Sequence, residues 1–181
     1  MPFTWVWCRL GSLISTKSGL SYSKDNLDVK SGDSTRVLRG GNILEGKWIL
    51  KDDDVIIASE FVKQDLLLRK GYFITPAVTS WENLGKTAII ESDQDKIVVG
   101  GFVLMLCPHL YNESMTRFLY YLFQSVYFKQ YCQSITNKSG QAFYNLSREK
   151  LLQMLIPLPA LPEMRRISDR LYAVLSGIMR R

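Results

Sequence analysis

Over the first two thirds of the chain the apolar residues fall in short runs bounded by glycine, aspartate and lysine, without a sustained helical interval. FTWVWCRLGSLIS at the amino terminus mixes aromatic and apolar residues with others before a polar, glycine- and serine-containing stretch at 17–34, which predicts a strand or short helix and then a loop. VLRGGNI (37–43) is an apolar strand end followed by paired glycines and an asparagine able to turn the chain sharply. DDDVIIASEFV and LLLRKGYFIT each set an apolar run beside charge, with Lys70 and Gly71 as a turn before an extended segment ending at Pro76. TAIIE (87–91) and KIVVGGFVLML (96–106) are rich in β-branched residues and predict adjacent buried strands.

The period changes at 114–133, where Leu119, Leu122, Phe123, Val126 and Tyr127 recur at helical spacing with aromatics around most of the circumference. This predicts one buried helix, and its aromatics read as core rather than as a platform for stacking bases. SITNKSGQAFYNLS follows as a polar loop, then SREKLLQML as a short helix capped by Ser147. At the carboxy terminus, IPLPALPEMRRISDRLYAVLSGIMRR joins a proline-punctuated extended segment to an amphipathic helix starting after Pro162. Prolines 157, 159 and 162 predict a stiff spacer. Met164, Ile167, Leu171, Val174 and Ile178 follow at heptad spacing, so the helix is expected to dock a partner. The expected architecture is α+β: a twisted, mostly antiparallel sheet core with packed helices over 1–160, and a docking helix over 161–181. No repeat of solenoid period is present.

Composition adds bounds. The chain has 181 residues, 46% apolar and 22% charged, which suits one domain with an appendage and excludes disorder as a description of the whole. A net charge of +6 favours a polyanionic partner. Cys8, Cys107 and Cys132 are odd in number and lack CxxC spacing, so they predict buried thiols rather than a disulfide framework or zinc site. The apolar run at 97–107 is too short to span a bilayer and no secretory pattern opens the chain, so a soluble, cytoplasmic protein without a membrane partner is expected.

Catalytic patterns fail on inspection. SWENLGKT (80–87) approaches a phosphate-binding loop, but Ser80 stands where a glycine is needed, and the strand-like TAIIE follows where a helix must begin. Gly85 and Lys86 read instead as a tight turn with Lys86 free to reach a phosphate. Asp33 with Glu45-Gly46-Lys47 only faintly resembles a metal-dependent nuclease core, and consecutive Asp52, Asp53 and Asp54 suit a solvated turn. His109 is the only histidine and suits a surface or packing role. No metal site and no catalytic constellation is predicted.

Two segments suit nucleic acid. Arg36, Arg39, Asn42, Lys47 and Trp48 sit on or beside the glycine-paired turn, and arginine and asparagine can pair bidentately with guanine and adenine. Lys138, Ser139, Gly140, Gln141, Tyr144 and Asn145 form a second loop of similar character, where Gly140 would let backbone approach a phosphate. Lysines 47, 86 and 138 are the expected phosphate contacts.

Taken in order, WCRLGSLIS, VLRGGNI, FVKQDLLLRKGYFIT, LGKTAII, IVVGGFVLML, FLYYLF, SGQAFYNLSREKL and IPLPALPEMRRI resemble the target recognition domain of a type I restriction-modification DNA specificity subunit. The resemblance spans nearly the whole chain, and IPLP with a glutamate before a basic amphipathic helix is its most specific piece. Met164 follows Glu163 where that family usually has glutamine, and Tyr72 follows Gly71 where it often has aspartate. The resemblance implies a non-catalytic reader of one half of a split DNA site in a bacterial defence system. It implies double-stranded DNA, methyltransferase (modification) subunits and a restriction subunit as partners. Adenine methylation from S-adenosylmethionine and ATP- and Mg-dependent cleavage would belong to those partners, so no cofactor is expected on this chain. The helix ends after about two and a half heptads, too short to be stable alone. The chain is then either one half of a longer subunit with a second recognition domain in cis, or a half-subunit that forms a homodimer. The competing reading is an assembly module whose DNA-reading face is degenerate; a free-standing nuclease or ATPase ranks third.

Overall fold

The computed structural model describes residues 4–23, 27, 33–139 and 142–179, with the side chains of Ser139, Ile178 and Met179 excepted. Gly140 and Gln141, expected in the second DNA-facing loop, lie outside the described residues. The α+β expectation holds, but among the described residues the sheet core is divided into four small sheets.

At the centre lies a four-stranded antiparallel sheet of β2 (Ile14–Ser18), β9 (Val103–Pro108), β5 (Phe73–Pro76) and β7 (Ala88–Ile89), in the order β2-β9-β5-β7. Strand side chains alternate faces, and here both faces are covered. Val103, Met105, Cys107 and Ile74 enter one core; Leu104, Leu106 and Phe73 enter the other. The first core is closed by a sheet of β4 (Val55–Ala58), β3 (Ser34–Leu38) and β8 (Ile97–Val99), in which β3 pairs antiparallel with β4 and parallel with β8. The second is closed by α1 (Glu113–Phe123), α2 (Val126–Ser134) and α3 (Arg148–Leu152), where Phe73 meets Phe123 edge-on at 4.9 Å and Phe123 meets Phe128 at 4.7 Å. Each such ring contributes about 1.5–3 kcal/mol by leaving water.

Several sequence expectations are corrected. The apolar run 96–106 is not one strand: it breaks at Gly100-Gly101-Phe102, sending β8 to one sheet and β9 to another. TAIIE shrinks to β7, which lies across β5 from β9 and not beside it. The predicted single helix at 114–133 is two, because Ser125 starts a new one: its hydroxyl accepts from the Phe128 N–H at 3.2 Å. The expected cap at Ser147 is present on α3, its side chain accepting from Lys150 N–H. The polar segment before it, expected as a loop, is a hairpin of β10 (Thr136–Ser139) and β11 (Phe143–Leu146), extended by β6 (Val78–Thr79).

The proline segment is likewise not a free spacer. Its first residues form β12 (Leu155–Leu158), paired antiparallel with β1 (Val6–Arg9), and Pro157 lies opposite Trp7. A two-stranded edge position tolerates proline because no ladder partner waits on the far side. The carboxy-terminal helix α4 (Leu161–Met179) starts at Leu161, with Pro162 in the first turn, where its missing N–H removes no bond. Its first half packs on α1, burying Met164 and Ser168, and Arg117 bridges to Asp169 at 2.8 Å. Its second half leaves Leu171, Tyr172, Val174 and Leu175 exposed. The heptad seam is therefore divided: Met164 and the half-buried Ile167 serve this chain, while Leu171 and Val174 face outward.

Candidate nucleic-acid interface

The glycine-paired turn is built by internal hydrogen bonds. Asn42 is 1% exposed; its amide donates to Ile49 O at 3.0 Å and Asp54 Oδ1 at 2.6 Å, and its Oδ1 accepts from Arg39 N–H at 2.7 Å. Arg36 donates to Lys51 O at 2.9 Å and Asp54 Oδ2 at 3.1 Å. Asn42 was expected to meet bases, and that is corrected here: its amide is consumed in fixing the turn at 39–42 to the turn at 51–54, while Arg36, half-buried, spends Nη1 on the same junction. Asp54, expected in a solvated turn, is the buried hub. Burial alone would raise its carboxyl, but hydrogen bonds from Asn42, Lys51 N–H and Arg36 outweigh that and hold it below the usual carboxylate range. Asp52 and Asp53 are exposed as expected. Arg39 also remains outward, its guanidinium on Asp53 O at 2.8 Å and Oδ2 at 2.9 Å, an exposed pair that water and salt weaken.

The β10–β11–β6 sheet offers a second surface. Directly opposed residues share a face. Asn137, Asn145 and Val78 are cross-strand neighbours, and Phe143 stands two residues from Asn145 on the same side. Asn137, Phe143 and Asn145 are all exposed, so this face is outward. Lys138, Tyr144 and Thr79 take the other face, where Tyr144 meets Trp81 edge-on at 5.2 Å and Lys138 stays exposed.

Val78 joins the two regions. With Arg39, Gly40, Tyr22 and Phe102 it lines a half-open groove of about 580 Å³. The turn at 39–41, the strand at 78–79, the turn at 100–102 and the outer face of the hairpin thus form one continuous surface. Arg39, Tyr22 and Phe102 line the groove, and Asn137, Phe143 and Asn145 lie on the hairpin face that meets it at Val78, a mix that hydrogen-bonds and packs on base edges. Lys51 Nζ lies 3.1 Å from where a Cβ on Gly41 would stand, adding a cation that the sequence did not single out.

The remaining predicted residues do not line the groove: Lys47 and Trp48 lie on the return segment paired with residues 42–44, and Lys86 on the turn before β7. Gly46 N–H donates to Thr87 O at 2.8 Å, so Lys47 and Lys86 flank one contact beside α1 and α2. Lys47 is exposed and Lys86 half-buried, while Trp48 packs on the first core. Gly85 has φ +79°, and a Cβ there would meet the Lys129 backbone at 3.0 Å, so the turn is pinned against α2. The strand β7 follows it, and no helix opens at Lys86 to receive a phosphate. His109 sits at the surface with Nε2 3.1 Å from Gly11 O. Burial pushes the Cys107 thiol up to about 11 and Cys132 up to about 12, so neither is a nucleophile near neutrality. Cys8 is half-buried, and its thiol too is raised by burial. No cluster of three or more histidine, cysteine or acidic side chains suited to a metal occurs among the described residues.

Asn137, Phe143, Phe102 and Lys51 went unnoticed in the sequence. Phe102 had one signal, a glycine pair interrupting an apolar run, and Asn137 becomes visible only through its register with Asn145.

The fold matches solved structures. A chain from the structure described as the basis of complex assembly and conformational transition of the type I R-M system superposes with TM-score 0.69 at 21% identity, covering 99% of this chain and 40% of that one. The HsdS subunit from Thermoanaerobacter tengcongensis gives TM-score 0.68 at 19% identity, with 99% and 39% covered. The type I restriction-modification S subunit from M. genitalium gives 0.61 at 15%, with 95% and 39% covered. At these identities the likeness shows the fold, and this chain spans about two fifths of each. No curated protein sequence matches. The family model described as the type I restriction modification DNA specificity domain matches residues 2–180, and the chain belongs to that family.

Proposed function

We propose that this chain binds duplex DNA sequence-specifically as a recognition component of a type I restriction-modification system. The observation that carries this is the continuous outward surface of Arg39, Val78, Phe102, Asn137, Phe143 and Asn145 on a DNA specificity domain. Arg39 and the two asparagines supply base-edge hydrogen bonds, and Lys138 and Lys51 supply phosphate contacts. Lys47 and Lys86, which do not line the groove, are assigned to a flanking phosphate.

In this reading the chain is not an enzyme and holds no cofactor. Methyl transfer and cleavage, with S-adenosylmethionine, ATP and Mg, belong to modification and restriction subunits that it directs to the site. The outward half of α4, with Leu171, Tyr172, Val174 and Leu175, is the docking surface for a second recognition domain, in cis or in a second copy. No described helix is long and apolar enough to cross a membrane, and a cytoplasmic location is proposed.

The test is selection from a random duplex library at low and physiological salt, alongside solution mass. Enrichment of a short half-site, or of two at fixed spacing from a dimeric species, supports the reading. Salt-sensitive retention without enrichment contradicts it and leaves only a basic surface.

A further inference from the structure

The geometry points to Phe102 as a specificity-determining residue that packs its ring against the bases of bound duplex DNA, an inference that rests on the DNA-reading function proposed above. Phe102 is 73% exposed, yet its backbone is tightly held. Its carbonyl accepts from Ala77 N–H at 2.8 Å and Val78 N–H at 3.4 Å. On either side, Gly100 N–H donates to Leu38 O at 2.8 Å and Val103 N–H to Gly100 O at 2.9 Å. The turn is thereby tied to β3 and to the strand leading into β6, while the ring stands in solvent at the groove.

A rigidly mounted aromatic with two side-chain torsions loses little freedom on binding, which suits it to recognition more than to chance exposure. Its surroundings select the occupant. The groove it lines with Arg39 and Tyr22 is about half open to solvent, so a ligand longer than the groove can lie across it. Through Val78 the groove continues onto the hydrogen-bonding face of Asn145 and Asn137. An extended ligand with apolar faces, hydrogen-bonding edges and negative charge fits that sequence of groups, and duplex DNA has all three. The ring packs on a thymine methyl or wedges between base steps; both make binding depend on base identity where no hydrogen bond reads it.

The experiment compares the wild-type chain with Phe102→Ala and Phe102→Leu on the duplex selected by wild type, on each single-base-pair variant of it, and on a random duplex, across salt concentrations. Phe102→Ala is expected to lose roughly tenfold in affinity for the selected duplex and to lose discrimination at one or two adjacent positions. Random-duplex binding, salt slope and unfolding midpoint should stay unchanged, and Phe102→Leu should fall between. Wild-type preference retained at every position in Phe102→Ala overturns the inference. So does an equal loss on all duplexes, which would mean a backbone contact, or a lowered unfolding midpoint, which would mean a structural ring. If wild type itself selects no sequence, the DNA-reading function fails first and takes this inference with it.

Discussion

The turn at 39–42 and the hairpin at 136–146 carry similar residue types, a basic residue, asparagine and glycine, yet they spend their hydrogen bonds differently. In the first, Asn42 and Arg36 converge on the buried Asp54 carboxylate, while the Arg39 side chain stays outward. In the second, strand pairing satisfies the backbone and frees the side chains of Asn137, Lys138 and Asn145. Composition named both as DNA-facing. What separates them is a carboxylate three residues beyond Lys51: where a buried acceptor is available, polar side chains close inward. The two regions should therefore fail differently, one through folding and the other through binding.

The largest effect is expected at the hub. Asp54→Ala removes the acceptor shared by the Asn42 amide, the Arg36 guanidinium and the Lys51 N–H, and should cost about 3 kcal/mol of stability. Denaturant unfolding would show it, with the thermal midpoint falling by about 10 °C. A change of stability within error, with DNA selection altered, would move this turn to the reading surface.

Next comes acid. Because the folded Asp54 carboxyl is held below its ordinary value, its contribution is complete above the unfolded pKa, near 3.9, and disappears as pH falls through the lower folded value. Wild type should lose stability over that interval faster than Asp54→Asn. Parallel curves would mean that Asp54 is not the group responsible.

Asn145→Ala on the hairpin should leave unfolding unchanged and reduce discrimination at one base position by about 1–3 kcal/mol, read from competition among single-base variants. Lys138→Ala should be the mildest: a uniform weakening over all sequences, a salt slope lower by about one, and stability within about 0.5 kcal/mol of wild type. If Lys138→Ala changed base preference and Asn145→Ala did not, the two faces of the hairpin would have to exchange roles.

Much of the fold was legible because it rests on local signals. Lys70-Gly71 turned as expected, Ser147 capped a helix, and β-branched runs became buried strands. The errors arose where tertiary pairing decided. Ser125 interrupted a helical pattern by capping its own successor, Gly100-Gly101 split a run whose apolarity was continuous, and β12 took in the prolines because β1 was there to pair with it. The candidate site was half legible for a related reason. Residue types able to read bases can be counted in a sequence, but whether each faces water depends on partners such as Asp54 or Val78 that lie twelve to sixty-seven residues away.

The most direct test of the interface is amide hydrogen exchange of the chain with and without its selected duplex. Protection is expected at 39–41, 100–102, 137–139 and 142–146, with the segments around Lys47 and Lys86 changed little. Protection confined to 46–47 and 85–87, or to α4, would contradict the account and put the DNA on a different face of the molecule.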